Sequence, residues 1–222
     1  MTSKLKPGVQ TGADYIALVE ACKQGGYALP AVNVVNTQSI NAVLESAAKN
    51  KSDVIIQLSG GGAQFYAGKG IKDSEQAKLL GAISAAEHVH RVAEAYGICA
   101  VLHTDHANRA LVPWVDALID AGEARFKATG KPLFSSHMLD LSEESLEENL
   151  AECERLLKRL APIDMSLEIE LGVTVGEEYG VGKDLDEVDN DKLYTQPEEV
   201  LAAYNRLSPI GHFSVAAAFG NV

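Results

Sequence analysis

Six short apolar runs rich in β-branched residues recur along the chain, at Leu29–Val35, Val54–Ser59, Ile98–Thr104, Leu133–Leu139, Met165–Leu171 and Phe213–Gly220. Several are almost unbroken in apolar residues, the pattern of strands covered on both faces. Segments of helical period lie between them. Ile40, Val43, Leu44 and Ala47 share one face of the first, and Leu79, Leu80, Ile83, Ala86, Val89 and Val92 line the second. The third carries Leu111, Trp114, Val115, Leu118 and Ile119, with Pro113 near its start, where a missing N–H costs little. The fourth carries Leu146, Leu150, Cys153, Leu157 and Leu160. Thr195 followed by Glu198 predicts a capping box for a last helix with Val200, Leu201, Tyr204 and Leu207. A further helix, over about Ala13 to Gln24, precedes the first strand. Such alternation predicts an α/β fold with a parallel sheet and helices outside it. An open doubly wound sheet and a (β/α)8 barrel both satisfy the pattern. The early helix and the chemistry at the strand ends favour the barrel, while six strands fall short of eight.

Ligands of parallel α/β folds sit at the carboxyl ends of strands. Asn33 and Asn36 lie at the first such end, and Ser59 at the second, followed by Gly60, Gly61 and Gly62. Those glycines lack the GxGxxG spacing and a following Lys, so they make a poor phosphate loop. The third end is the most informative: AVLHTDH runs from an apolar strand into His103, Asp105 and His106. Imidazole beside carboxylate can bind a divalent metal and hold an acid next to it. Asp140 and Glu170 close the next two strands, and in a barrel all three ends converge on one mouth. In MSLEIELG, Glu168 and Glu170 are two apart and face the same side, a costly placement unless a cation or hydrogen bonds neutralise them. His88 and His90 do not share a helix face and make a poor metal pair. Gly172 to Tyr194 is Gly-rich, acidic and 23 residues long, a length at which loops are usually functional or disordered.

Charge narrows the partners. Nineteen Lys and Arg against thirty-one Asp and Glu leave a formal net charge of −12, which argues against nucleic acid or an anionic membrane surface. A phosphorylated metabolite remains compatible, because a local site can oppose the global field. No apolar run approaches the roughly 20 residues that span a bilayer. MTSKLKPGVQ has no apolar core and does not read as a secretory signal. Cys22, Cys99 and Cys153 are far apart and form no CxxC pair, as expected of reduced thiols in a cytoplasmic protein.

With these residues assembled, the chain resembles the class II, metal-dependent fructose-1,6-bisphosphate aldolases. The likeness covers essentially the whole chain and includes LPAVNVV, INAVLE, GAISAAEHVH, VLHTDH, PWVDALIDAGE, KPLFSSHMLDLSEESLEEN, LEIELG, LYTQPEEV and FGNV. The resemblance implies a (β/α)8 TIM barrel, here incomplete, with residues 1–222 as one domain truncated at the end of the sixth strand. It implies zinc-dependent cleavage of fructose 1,6-bisphosphate to dihydroxyacetone phosphate and glyceraldehyde 3-phosphate through a metal-stabilised enediolate, in a cytoplasmic homodimer. Zinc is the implied cofactor, with room for a second metal position and a monovalent cation. By the same resemblance His106 is a metal-ligating histidine, and Asp140 and Glu170 are carboxylates at a second or alternative metal position. Asp105 exchanges a proton with the aldehyde-derived oxygen, and Glu178, beside Glu177 on a mobile loop, takes the proton from dihydroxyacetone phosphate. Asn33 and Ser59 lie near the substrate, Ser59 on the glyceraldehyde-phosphate side.

The family pattern continues after FGNV with two more zinc histidines, a Gly-Ser phosphate loop and an Asn-x-Asp segment, none of which this sequence contains. The expectation is therefore that residues 1–222 alone are inactive and prone to aggregate. Two alternatives stand beside the leading reading: a non-catalytic fragment that needs a complementing chain, and a tagatose-bisphosphate aldolase.

Overall fold

The computed structural model of the chain describes residues 5–172 and 194–219. In chain order the elements are β1 (Gly8–Val9), α1 (Gly12–Gly25), β2 (Ala31–Asn33), α2 (Thr37–Asn50), β3 (Val54–Leu58), α3 (Gly60–Ala67), α4 (Ser74–Tyr96), β4 (Cys99–Ala107), α5 (Val112–Thr129), β5 (Ser136–Leu139), α6 (Leu146–Leu160), β6 (Ser166–Leu171), α7 (Pro197–Leu207) and β7 (Phe213–Ala217). Strands β2 to β7 lie side by side in sequence order, and every pair is parallel. Among the described residues β2 and β7 are each paired on one side, so the sheet does not close on itself.

All six apolar runs contain strands, with the first, fourth and sixth shorter than their composition suggests. The two-residue β1 carries no periodicity that could announce it. It pairs with Cys99 and Ala100, whereas β5 joins β4 only from His103 onward, so β1 takes the lower part of the edge that β5 takes above. The last capping box sits one residue later than Thr195 and Glu198 suggest: it uses Gln196 and Glu199. Pro197 is the reason, because it needs no N–H partner in the first turn and makes Gln196 the cap. Thr195 instead hydrogen-bonds the Leu171 carbonyl and accepts from the Ala218 N–H.

The sheet separates two kinds of interior. Its outer face, with Ile56, Leu102, Leu139, Leu167 and Ile169, packs under the helices in the main core. Helix α6 shows why it stays there. Leu150, Cys153, Leu156, Leu157 and Leu160 form its buried stripe, and Ser145 and Glu148 close a capping box at its start. The inner face begins apolar: Leu18 of α1 packs with Cys99 and Val101, flanked by Tyr15, Leu29 and Ile55. Above this plug the inward positions turn polar, with His103 hydrogen-bonded to Ser136 at 2.7 Å and its other nitrogen 3.5 Å from Glu168.

Gly60, Gly61 and Gly62 open helix α3 rather than a loop, with the Ser59 hydroxyl capping the Gly62 N–H at 3.1 Å. Helix α3 lies hard against α4 at Gly81, where an added Cβ would stand 1.8 Å from the Ala63 carbonyl oxygen. Backbone cannot yield as a flexible side chain would, so Gly81→Ala should cost about 1–3 kcal/mol, the usual scale of overpacking. Urea unfolding of the variant checks this, and a midpoint equal to that of the parent would show that α3 shifts freely off α4.

Candidate metal centre and acid–base cluster

Strand alternation would send Asp105 and His106 to opposite faces of the sheet. The pairing of β4 with β5 breaks register between Thr104 and Ala107, and His106 has φ 20°, outside the ordinary strand range. This bulge turns both consecutive side chains to the mouth. The ends of β5 and β6 deliver the other two groups. His106 Nδ1 lies 3.3 Å from Asp140 Oδ2 and 3.0 Å from Glu170 Oε2. One ligand atom from each of the three residues lies within 4.8 Å of the others. The Ser142 hydroxyl donates to Asp140 Oδ1 at 2.7 Å, leaving Oδ2 turned to the imidazole.

Burial alone would lower the His106 pKa, but hydrogen bonds to Asp140 and Glu170 overcome it and raise the value to about 10. Burial pulls Asp140 upward, and its bonds to His106 and Ser142 outweigh that and hold it below the ordinary carboxylate range. A proton on imidazole thus occupies the point where two carboxylates converge. This donor set, one imidazole and two carboxylates aimed at a single point, fits a divalent cation, whose binding would release that proton.

Asp105 stands on the opposite side of the imidazole, its Oδ1 3.9 Å from His106 Nε2. Both of its oxygens accept from amides: Asn33 Nδ2 to Oδ2 at 2.6 Å and Gln57 Nε2 to Oδ1 at 3.0 Å. Gln57 also donates to Asn33 Oδ1 at 3.0 Å, which closes a triangle of side chains from β2, β3 and β4. Gln57 is absent from the sequence-derived site. Its signal was present, because it is a polar residue on the inward register of an apolar strand, as Glu168 and Glu170 are. Asn33, Asp105, His106, Asp140 and Glu170 therefore come together. Ser59 ends β3 and serves as the cap of α3. Glu177 and Glu178 lie outside the described residues.

The family model described as fructose-bisphosphate aldolase class-II matches residues 13–222. The chain belongs to the class-II fructose-bisphosphate aldolase family. It is 58% identical over 221 residues to the class 2 fructose-bisphosphate aldolase of Escherichia coli K12, covering 98% of this chain and 61% of that protein. With the fructose-bisphosphate aldolase of Aspergillus oryzae it shares 49% identity over 219 residues, covering 98% of this chain and 60% of that protein. The crystal structure of the Campylobacter jejuni aldolase superposes with a TM-score of 0.87 at 54% identity, covering 98% of this chain and 60% of that one. The parallel sheet is thus an incomplete barrel of the aldolase type, and the chain spans about three fifths of the length of the relatives it matches.

Away from the His106 cluster, burial lowers His103 and His90 to about 4 and His137 to about 3. The unfolded chain binds these protons first, near the free value of 6.5. Their contribution to stability is therefore complete above that value and drains as pH falls toward 4. His106 acts in the other direction: its contribution is full below 6.5 and is lost as pH rises through about 10. Glu168, raised by burial, offsets part of the acid-side loss. The melting temperature should accordingly fall between pH 7 and pH 4.5. Equal melting temperatures at the two ends of that interval would mean that the three histidines are not neutral in the fold.

Proposed function

We propose that this chain carries one wall of the active site of a zinc-dependent aldolase that splits fructose 1,6-bisphosphate into dihydroxyacetone phosphate and glyceraldehyde 3-phosphate. The observation that carries the proposal is the clamped Asp105 carboxylate facing an imidazole that two further carboxylates hold from behind. His106, Asp140 and Glu170 would hold the metal. Bound there, zinc would supply a Lewis acid for the oxygens of the triose portion of the substrate.

The remaining chemistry falls to side chains of this chain. Asp105 passes a proton to and from the oxygen that becomes the aldehyde when the C3–C4 bond breaks. Asn33 and Gln57 fix both carboxylate oxygens, so the acid meets that oxygen without first searching for an orientation. Asn33 also lies against the substrate, and Ser59 serves the glyceraldehyde-phosphate side. Glu178, with Glu177 beside it, takes the proton from dihydroxyacetone phosphate in the synthetic direction. We infer further that residues 1–222 belong to a single barrel domain, and that the complete enzyme is a cytoplasmic homodimer with a phosphorylated sugar as its substrate and neither nucleic acid nor membrane as partner. No helix of the described residues is long and apolar enough to cross a membrane.

A second reading, in which another chain or segment completes the barrel, has its own support. A groove of about 590 Å³ runs beside β7, lined by residues that include Val200, Tyr204, Phe213 and Val215. Leu201 and Tyr204 are each 59% exposed on the adjoining helix, next to that groove.

Joining residues 1–222 to the part of the Escherichia coli relative beyond its match tests both readings. The chimera should cleave fructose 1,6-bisphosphate with zinc, and faster than tagatose 1,6-bisphosphate. Residues 1–222 alone should show little turnover, and co-expression with the separate Escherichia coli segment should restore it. Asp105→Asn in the chimera should lower kcat by about 10²–10⁴-fold, the range of a lost acid–base step, while zinc content stays level. A folded, zinc-loaded chimera without aldol cleavage would refute the proposal, and preference for the tagatose ester would move it to the neighbouring specificity.

A further inference from the structure

The buried stripe of α6 is interrupted by one residue that suits neither a helix interior nor a core. Asn149 is 3% exposed among Leu146, Leu150, Cys153 and Leu156. Asparagine is a weak helix former, and its amide is costly to bury unless both ends are bonded. Here both ends are. Its Nδ2 donates to the backbone carbonyl of Glu170 at 3.0 Å, and its Oδ1 accepts from the Cys153 thiol, one turn along the helix, at 3.2 Å.

The target of that bond is informative. Strand β5 pairs with β6 as far as Leu139 and Ile169, so Glu170 lies one residue beyond the last pair of that ladder. On the β5 side the ladder gives out where the strand must present a carboxylate accurately, while on the other side Glu170 stays paired with Ala216 of β7. The Asn149 amide bonds the backbone at that residue from the helix side. Burial pushes the Cys153 thiol up to about 12, so it stays protonated and keeps the amide turned the right way. The same crossover holds the other carboxylate, because Asp140 directly follows β5 and its carboxylate is bonded by Ser142 just before α6 begins.

We propose that Asn149 is a positioning residue for Glu170: through the backbone at the end of β6, it sets where that carboxylate meets His106. The inference rests on the reading of His106, Asp140 and Glu170 as a metal site, and it extends that reading to a residue that bonds the backbone of a ligand rather than its carboxylate.

Co²⁺ bound by the chimera with the Escherichia coli segment is a suitable probe, since its visible absorption reports ligand number and geometry. Asn149→Leu completes the apolar stripe of α6 and deletes the donor. The chimera carrying it should melt at or above the parent chimera's temperature without metal. It should nonetheless bind Co²⁺ about 10–100-fold more weakly, with an altered absorption band, as expected when the support of a ligand is lost. Cys153→Ser, which keeps a donor to Oδ1, should bind within about threefold of the parent. Should leucine overpack, Asn149→Ala removes the same donor without adding volume. Glu170→Gln and Asp140→Asn report on the metal reading itself. If they weaken Co²⁺ binding while both Asn149 variants match the parent in affinity and spectrum, Asn149 only fastens helix to strand and the inference falls. A folded parent chimera that takes up no Co²⁺ overturns the metal reading, and the inference with it.

Discussion

Carboxylates at close quarters in a half-buried mouth repel one another, and the rim of this sheet gathers Asp105, Asp140, Glu168 and Glu170 around His106. Two unit charges about 4 Å apart interact by roughly 4 kcal/mol at an effective dielectric of 20, so the cluster needs a compensating cation. The imidazole provides it by keeping a proton well above its ordinary value. Polarity on the inner face is therefore layered. Neutral His103 and Ser136 sit over the apolar plug, the charged groups sit above them, and the clamped Asp105 sits at the edge.

The same constraint explains irregularities in the scaffold. A regular β4 would present either Asp105 or His106 to the mouth, and the bulge presents both. The ladder between β5 and β6 ends at Leu139 and Ile169; beyond it Ser142 bonds the Asp140 carboxylate and Asn149 the Glu170 carbonyl, while Asp140 keeps a backbone bond to Ala107 and Glu170 its pairing with β7. In each place a bulge or an added side-chain bond stands where the strand delivers a charged group.

Much of this was readable along the chain. The six apolar runs and the helical stripes between them predict a parallel α/β fold, because burial on both faces leaves its mark on every residue of a strand. Of the polar residues that close those runs, the structure gathers Asn33, Asp105, His106, Asp140 and Glu170 at the mouth, since a carboxylate in an apolar strand is too costly to be idle. Local signals failed where two segments had to be known together. Ser59 and the three glycines after it form the start of α3, which packs on α4 at Gly81, a contact that no single segment announces. The last capping box moved by one residue because Pro197 and the contacts of Thr195 with Leu171 and Ala218 decide the frame. Gln57 stood in view but has meaning only beside Asn33 and Asp105.

The sequence by itself determined the alternation of elements, the acidic character and the set of imidazole and carboxylate groups, because periodicity, charge and residue type are local properties of a chain. The motifs it carries were also sufficient to place it among the class-II aldolases. Only the tertiary structure decided that Asp105 and His106 face the same way, which amides clamp the acid, and that Asn149 reaches the backbone of Glu170. Those facts depend on strand register and on distances between residues far apart in sequence, and no pattern along one segment encodes a register.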